Sequence, residues 1–321
     1  MSPSIPQAMK AAAIDRFGGP EVFRVQSLPV PKPRGNELLI QLDTAGIGVW
    51  DPEVREGELM SGERPRFPQV IGNDGAGTVV AVGDKVRRFS VGARVYAYTM
   101  KGGFYAEYVT VAEDEAAPVP PAMTAQEAGA LGADGITALR GLDDQLRLQR
   151  GETLIVLGAS GGIGHIAVQL AKRMGARVFA VASGADGVEL VRRLGAEEAV
   201  DGRHDDVVTA ARAFAPSGFD AALVLAGGPD IARALATVRR GARIAYPNGV
   251  EPTPEGPEGT SAIAYDGVPS AEAFDRLNRI IGASPFHVEI GRIYRLEDAE
   301  SAHRELGRHH LGKLAFKVRP S

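Results

Sequence analysis

Alternating apolar and polar positions dominate the first third of the chain. Residues 21–25 and 37–42 alternate in this way, and 78–82, 94–98 and 106–111 repeat the pattern, the period-two signature of half-buried strands. Pro29, Pro31 and Pro33 punctuate the early segments, and Gly72, Gly75, Gly77, Gly83 and Gly92 mark turns and bulges among the later ones. Only one short helix is predicted before residue 120, over 50–56. The pattern predicts a compact β domain with irregular loops.

Near residue 124 the character changes. Thr124-Ala-Gln-Glu127 has the spacing of a capping box and opens a helix, and a second helix follows through 137–142. From 151 strand and helix alternate: strands over 154–157, 177–182, 198–200, 220–225 and 242–246, helices over 162–174, 186–194, 204–214 and 229–238. Such alternation predicts a doubly wound parallel sheet with right-handed crossovers. Residues 248–262 are too rich in Pro and Gly for regular structure, and a strand at 262–266 and a helix at 270–281 finish the sheet domain. Strand, helix and strand character then returns over 287–290, 296–306 and 313–318, which predicts that the chain goes back to complete its first domain.

Chemistry concentrates at the first strand–helix junction of the alternation. Leu154 to Leu157 empties into Gly158-Ala-Ser-Gly-Gly-Ile-Gly164, and an amphipathic helix follows through Ile166, Val168, Leu170, Ala171 and Met174 to Gly175. A helix N-terminus delivered by such a turn presents free N–H groups and the positive end of its dipole, which suits a diphosphate. Glycine is needed where a Cβ would block the turn, the ligand's approach or the packing of helix on strand.

Composition narrows the class. A length of 321 residues fits about two domains, and 44% hydrophobic with 24% charged residues is ordinary globular composition. No apolar stretch approaches the roughly 18–20 residues of a membrane span. Met1-Ser-Pro-Ser-Ile-Pro6 has neither the basic region nor the apolar core of a signal peptide, so a cytosolic protein is expected. A net charge of -4 gives no basic surface for nucleic acid; Arg192-Arg193 and Arg239-Arg240 fall on predicted helix ends as solvated charge. Cysteine is absent, which removes disulfides, thiolate nucleophiles, Fe–S clusters and Cys-ligated zinc.

Taken together, these motifs make the chain resemble the medium-chain dehydrogenase/reductase superfamily, and within it the zinc-independent quinone oxidoreductase branch. The likeness runs from Phe17-Gly-Gly-Pro-Glu-Val-Phe23 through Gly72-Asn-Asp-Gly-Ala-Gly-Thr-Val-Val-Ala-Val-Gly83, Gly102-Gly-Phe-Tyr-Ala-Glu-Tyr-Val109 and the glycine turn. It ends in Tyr294-Arg-Leu-Glu-Asp-Ala-Glu-Ser-Ala-His303 and Gly312-Lys313. The resemblance implies an α/β fold: a GroES-like β-rich catalytic domain (1–124 and 284–321) split around a Rossmann doubly wound parallel sheet domain (125–283). Ala159 replaces the first Gly of G-x-G-x-x-G, as in that branch.

By the same resemblance, Ser160, Gly161, Gly162 and Ile163 contact the cofactor. An NAD site wants a carboxylate at the end of the second strand, where this chain has Ser183-Gly184; Ser183 can donate to a 2′-phosphate, so NADPH is expected. The family often adds a Lys and a Tyr to that subsite, at positions that look like Glu189 and Gly202. Arg203, or Arg192 and Arg193, can supply the cation, although Arg203 equally suits a solvated loop. Gly227, beside Ala226, and Pro247, Asn248 and Gly249 follow the fourth and fifth strands and are further expected contacts.

Zinc-dependent relatives place ligands at positions that look like Gly48, Asn73 (with Asp74 beside it) and Ala133. None of the three is Cys or His, and Asp74 alone cannot hold a catalytic zinc, so no metal is expected. Candidate catalytic residues are Trp50, Asp51 and Thr137. Trp50 can stack on a flat substrate or the nicotinamide, or belong to the core. Asp51 can orient a substrate, or cap the short helix that follows it, which is the favoured reading. Tyr96, Tyr98 and Tyr105 read as packing rather than proton donors.

The resemblance therefore implies a metal-free, NADPH-dependent homodimer that transfers hydride to a small quinone or α,β-unsaturated carbonyl. Two other functions fit the same residues: a reductase of enoyl thioesters or polyketide intermediates, and a non-catalytic NADPH-binding redox sensor.

Overall fold

The computed structural model describes residues 5–59, 66–282 and 285–319. Residues 1–4, at the start of the segment read for a signal peptide, lie outside these, as does the 283/284 boundary. The chain forms two compact units: Met1–Ala133 with Pro269–Arg276 and Ile290–Ser321, and Asp134–Val268 with Leu277–Glu289.

In chain order the elements are β1 (Ala8–Ile14), β2 (Phe23–Pro29), β3 (Glu37–Ile47), α1 (Asp51–Glu56), β4 (Gln69–Val70), β5 (Asp74–Val82), β6 (Arg94–Tyr98), β7 (Tyr108–Ala112), β8 (Ala116–Pro118) and α2 (Ala125–Gly129). Next come α3 (Gly132–Leu139), β9 (Thr153–Leu157), α4 (Gly162–Met174), β10 (Arg177–Ala182), α5 (Gly184–Arg193), β11 (Glu198–Asp201), α6 (Val207–Phe214) and β12 (Phe219–Val224). The chain ends with α7 (Ile231–Leu235), β13 (Val238–Pro247), β14 (Ser261–Tyr265), α8 (Ala271–Ile281), β15 (Ile290–Arg295), α9 (Ala299–Glu305) and β16 (Lys313–Lys317).

The first unit is built on β3, the long strand whose inward side chains Leu38, Ile40 and Leu42 anchor the core with Ile14, Phe104, Leu314 and Phe316. A sheet ordered β15-β16-β3-β5-β6-β8 surrounds it, with β7 also paired to β3, while β1 lies antiparallel between β2 and β4. The last strand, β16, pairs with residues 44–47 of β3. The second unit is an all-parallel sheet ordered β11-β10-β9-β12-β13-β14. Its central strand β9 is buried from Leu154 to Leu157 because helices cover both faces of such a sheet. The α/β architecture with a separate β-rich unit is the one expected.

Among the local expectations that fail, four have a clear physical reason. β1 was not among the strands named from the pattern, because Ala-Met-Lys-Ala-Ala-Ala-Ile carries small residues without clear alternation. The strand expected over 287–290 lies instead at Ile290–Arg295. Residues 287–289 are spent on α4: Gln169 bonds His287 N–H and C=O at 3.1 and 2.8 Å, and the Glu289 N–H donates to His165 Nε2 at 3.0 Å. Arg239-Arg240 lies inside β13, not at a helix end, since α7 stops at Leu235 and the sheet takes the chain from Val238. Asp51 does not cap α1; it is the first helical residue, and its carboxylate turns back to Gly48.

Candidate active site

The carboxyl ends of parallel strands share one sheet edge, and most of the expected site residues gather there. The end of β9 supplies Gly158, whose φ of +83° only glycine adopts without strain. The Gly158 and Ala159 amides donate to Val181 C=O at 3.1 and 2.9 Å, which fixes the turn against β10. Gly161 takes the N-cap position of α4 with no side chain on the first amides, so Gly162 and Ile163 open the helix with their N–H groups free of intrahelical partners. A Cβ at Gly164 would stand 2.2 Å from Gly158 O, which explains the third glycine by packing. Ser160 is buried, and its Oγ accepts the Ser183 N–H at 3.2 Å, joining the turn after β9 to the turn after β10.

At the β10 edge, Ser183 precedes α5, and its Oγ is buried without a hydrogen-bond partner among the described residues. A buried hydroxyl in that state is costly unless a further group pairs with it. Gly184 follows with φ +79°, and its N–H donates to Asp201 Oδ1 at 3.0 Å. Asp201 sits opposite Ala182 in the register of β10 and β11. The sequence reading found no acid at the end of the second strand; the fold brings one from the third. Asp201 also accepts the Arg203 N–H at 3.0 Å and bonds His204 Nδ1 at 2.7 Å. The His204 bond foremost, then the two amides, hold its carboxyl down at about 2. The Arg203 guanidinium is exposed with no ion pair among the described residues, whereas Arg192 and Arg193 are engaged with Glu198 and Glu289.

Beyond β12, Gly227 lies under the chain at Glu251, whose carbonyl oxygen would be 1.8 Å from an added Cβ. Pro247 ends β13 opposite Tyr265; the Asn248 N–H donates to Tyr265 O at 3.0 Å and its Nδ2 to Asp266 at 2.8 Å, while a Cβ on Gly249 would meet open space. Thr137 is buried in α3, its C=O accepting the Tyr265 hydroxyl at 3.0 Å, and Gly267 packs on its Oγ1.

The first unit gathers a second set. Trp50 is half-buried, with its ring against Gly48 and its Nε1–H donating to Asn73 Oδ1 at 3.3 Å. The Lys313 ammonium lies 5.6 Å from the centre of that ring and donates to Asp74 Oδ2 at 2.9 Å; the same oxygen accepts the Ala133 N–H at 3.0 Å. Both Lys313 and Asp74 are buried. Gly48, Asn73 and Ala133 thus adjoin one cluster, and a buried ion pair fills its base.

Asp51 heads a second buried network. Its Oδ2 accepts the Gly48 N–H at 2.7 Å and the Tyr105 hydroxyl, while Oδ1 has no partner among the described residues. Arg55, a turn further along α1, donates Nη1–H to His303 Nδ1 at 2.9 Å, because a guanidinium can only donate. The imidazole proton therefore sits on Nε2, facing the Tyr105 oxygen at 3.3 Å. The order Arg55, His303, Tyr105, Asp51 makes one directed chain of hydrogen bonds. Burial lifts the Asp51 carboxyl to about 7 against the Tyr105 and Gly48 bonds and the Lys313 charge. Burial, then the Arg55 charge, depresses His303 to about 3, and burial raises Tyr105 well above its ordinary value. Tyr105, read from the sequence as packing rather than a proton donor, donates its hydroxyl hydrogen to Asp51, and Arg55, His303 and Lys313 were given no chemical role from the sequence. Arg55 stands four residues after Asp51, but its partner His303 is 248 residues away.

His165 was also passed over. It is fully buried in α4, with Nδ1 on Gly161 O at 2.9 Å and Nε2 accepting the Glu289 amide. Burial holds it neutral, with its pKa down at about 4. The unfolded chain binds a proton here below about pH 6.5 and the folded chain does not, so this contribution is full above that pH and falls as acid is added. Acidification from pH 7 to 5 is expected to remove about 2 kcal/mol through His165 alone. In the first unit the raised Asp51 acts with the opposite sign and offsets His303. Urea unfolding at both pH values checks this: His165→Asn should flatten the pH slope, and an unchanged slope refutes it.

Residues 162–257 match the family described as zinc-binding dehydrogenase, and residues 34–121 match the alcohol dehydrogenase GroES-like domain. The chain is 30% identical over 312 residues to a quinone oxidoreductase of Mus musculus, covering 93% of this chain and 94% of that one. A Rattus norvegicus quinone oxidoreductase is 30% identical over 322 residues, 97% of each. Among solved structures, the quinone oxidoreductase from Coxiella burnetii superimposes with a TM-score of 0.85 at 27% identity, over 97% of this chain and all (100%) of that one. A mycobacterial protein solved with NADPH gives 0.85 at 28% identity over the same shares, 97% and 100%. The strand-ending glycine turn, the β-rich unit closed by the chain's own tail and these similarities lead to one conclusion: the chain belongs to the medium-chain dehydrogenase/reductase superfamily and is an oxidoreductase.

Proposed function

We propose that the protein is a cytosolic, zinc-independent, NADPH-dependent reductase of quinones or α,β-unsaturated carbonyls. The observation that carries the reading is the turn from Gly158 to Gly164, which sets the open amides of α4 at the carboxyl edge of a parallel sheet. The residues present fit the dinucleotide: Ser160, Gly161, Gly162 and Ile163 would hold its diphosphate. The unpartnered Ser183 hydroxyl and the exposed Arg203 guanidinium would take the 2′-phosphate. Gly227, Pro247, Asn248 and Gly249 line the same edge. The relatives named quinone oxidoreductases and the NADPH-bound mycobacterial protein support the same reading.

When bound, NADPH supplies a hydride, and reduction of the acceptor is completed by a proton. Trp50 offers a flat, half-buried face for an aromatic or quinonoid acceptor, and Thr137 lies beneath the end of β14. Asp51, its carboxyl raised to about 7 by burial, can hold a proton near neutrality, with Tyr105 as the donor to its Oδ2. The donor set supports zinc independence. Asp74, the carboxylate beside Asn73 and bonded to the Ala133 amide, already faces the Lys313 ammonium at 2.9 Å, and a cation there would meet like charge. Assembly as a homodimer through the second unit belongs to the same proposal; β14 is an edge strand with Ile263 exposed, a surface that a second copy can cover.

Oxidation of NADPH and NADH, followed optically with quinones, enones and an enoyl thioester, tests the function. Turnover is expected with NADPH and a quinone or enone. Turnover confined to the thioester would support the thioester reductase instead, and tight NADPH binding with no turnover on any acceptor would support the redox sensor.

A further inference from the structure

We propose that Asp201 sets the choice between the two nicotinamide cofactors and keeps this protein from being strictly NADPH-specific. The proposal rests on the dinucleotide reading above and concerns only its ribose end. In this superfamily's architecture the residue that ends the second strand of the parallel sheet meets the adenosine ribose. That place is Ser183 in this chain, but the carboxylate of Asp201 is pinned to the next amide, Gly184 N–H, at 3.0 Å. A third-strand acid has reached the turn that the second strand left without one.

Three observations give the carboxylate this role. It is held charged by the His204 bond and by two amides, so it is an anion throughout the working range. It accepts three hydrogen bonds where a carboxylate offers about four acceptor positions, which leaves one for a ribose hydroxyl. It lies among acids: Asp205 accepts the Asp201 N–H at 2.8 Å, and Glu189, Asp201 and Asp205 share one groove of about 640 Å³ with Arg192 and Arg193. Those two arginines are already paired with Glu198 and Glu289.

Against this stand, among the described residues, one cation, Arg203, and one hydroxyl, Ser183. A 2′-phosphate gains from Arg203 and loses to Asp201, whereas a 2′-hydroxyl meets no repulsion and can donate to the carboxylate. The two cofactors therefore bind with similar strength. A chain that replaced Asp201 by a neutral residue of the same shape would become selective for the phosphate.

Calorimetric titration of NADP+ and NAD+ into the full-length protein tests this without turnover. The wild type is expected to bind the two within about tenfold of each other. Asp201→Asn, which keeps an acceptor for Gly184 and Arg203, should tighten NADP+ at least about tenfold and move NAD+ by less than about threefold. Arg203→Gln should weaken NADP+ alone. A wild-type preference for NADP+ beyond about a hundredfold overturns the proposal even if Asp201→Asn does not fold, as does an unchanged ratio in a folded variant. Binding of neither nucleotide by the wild type overturns the dinucleotide reading itself.

Discussion

Gly164→Ala should unfold the glycine turn and abolish dinucleotide binding. The added Cβ would stand 2.2 Å from Gly158 O and 2.7 Å from the Ala159 backbone, and neither is a flexible side-chain end that could move aside cheaply. Relief requires the turn to separate from α4, at a cost of about 1–3 kcal/mol by analogy with overpacked cores. NADPH affinity should fall at least about a hundredfold, since the amides lose their alignment. Gly161→Ala is the control: its Cβ would meet only Gly158 O at 3.6 Å, so stability should stay within about 1 kcal/mol of the wild type. Urea unfolding and titration of both variants check this, and equal stability would refute the packing account of Gly164.

The second large effect is expected from Lys313→Met. It strips the ammonium from a pair whose partner, Asp74, is 1% exposed and keeps, among the described residues, the Ala133 amide as its donor. Removing one member of a buried pair strands the other charge, typically at about 3–5 kcal/mol. Asp74→Asn with Lys313→Met should recover half or more of the loss, because the stranded charge has gone. A double-mutant cycle in urea at pH 7 decides it; two losses that simply add would mean that the pair is uncoupled.

How much of this was legible follows the distance over which each contact acts. The second unit was legible in the order of its strands and helices, since each carries its own period, but less so in their bounds: the helix expected over 229–238 covers Ile231–Leu235, and the strand expected over 242–246 begins at Val238. Gly158 to Gly164 and the Thr124–Glu127 capping box were found from neighbours alone, and the structure forms both. The first unit was legible only as β. Its chemistry depends on Asp74 with Lys313, 239 residues apart, and Tyr105 with His303, 198 apart, and no local pattern announces either pair. Asp201 shows a third kind of failure. Its charge was visible in the sequence, but only the register that sets it beside Ala182 shows that it serves the turn of a neighbouring strand.

β16 has a further consequence, in the order in which the protein is made. Residues 44–47 of β3 are paired on one flank by β16, which comes from Lys313–Lys317 and is therefore made after every strand and helix of the second unit. The strands and helices of the second unit, by contrast, have all been translated once Ile281 has emerged. On the ribosome the half encoded first must therefore wait, with an unpaired strand edge and the carboxylate of Asp74 without its counter-charge, while the half encoded later folds. A nonsense codon just before Lys313 would do its damage on β3, more than two hundred residues earlier in the chain, and that open edge is where a chaperone would be needed.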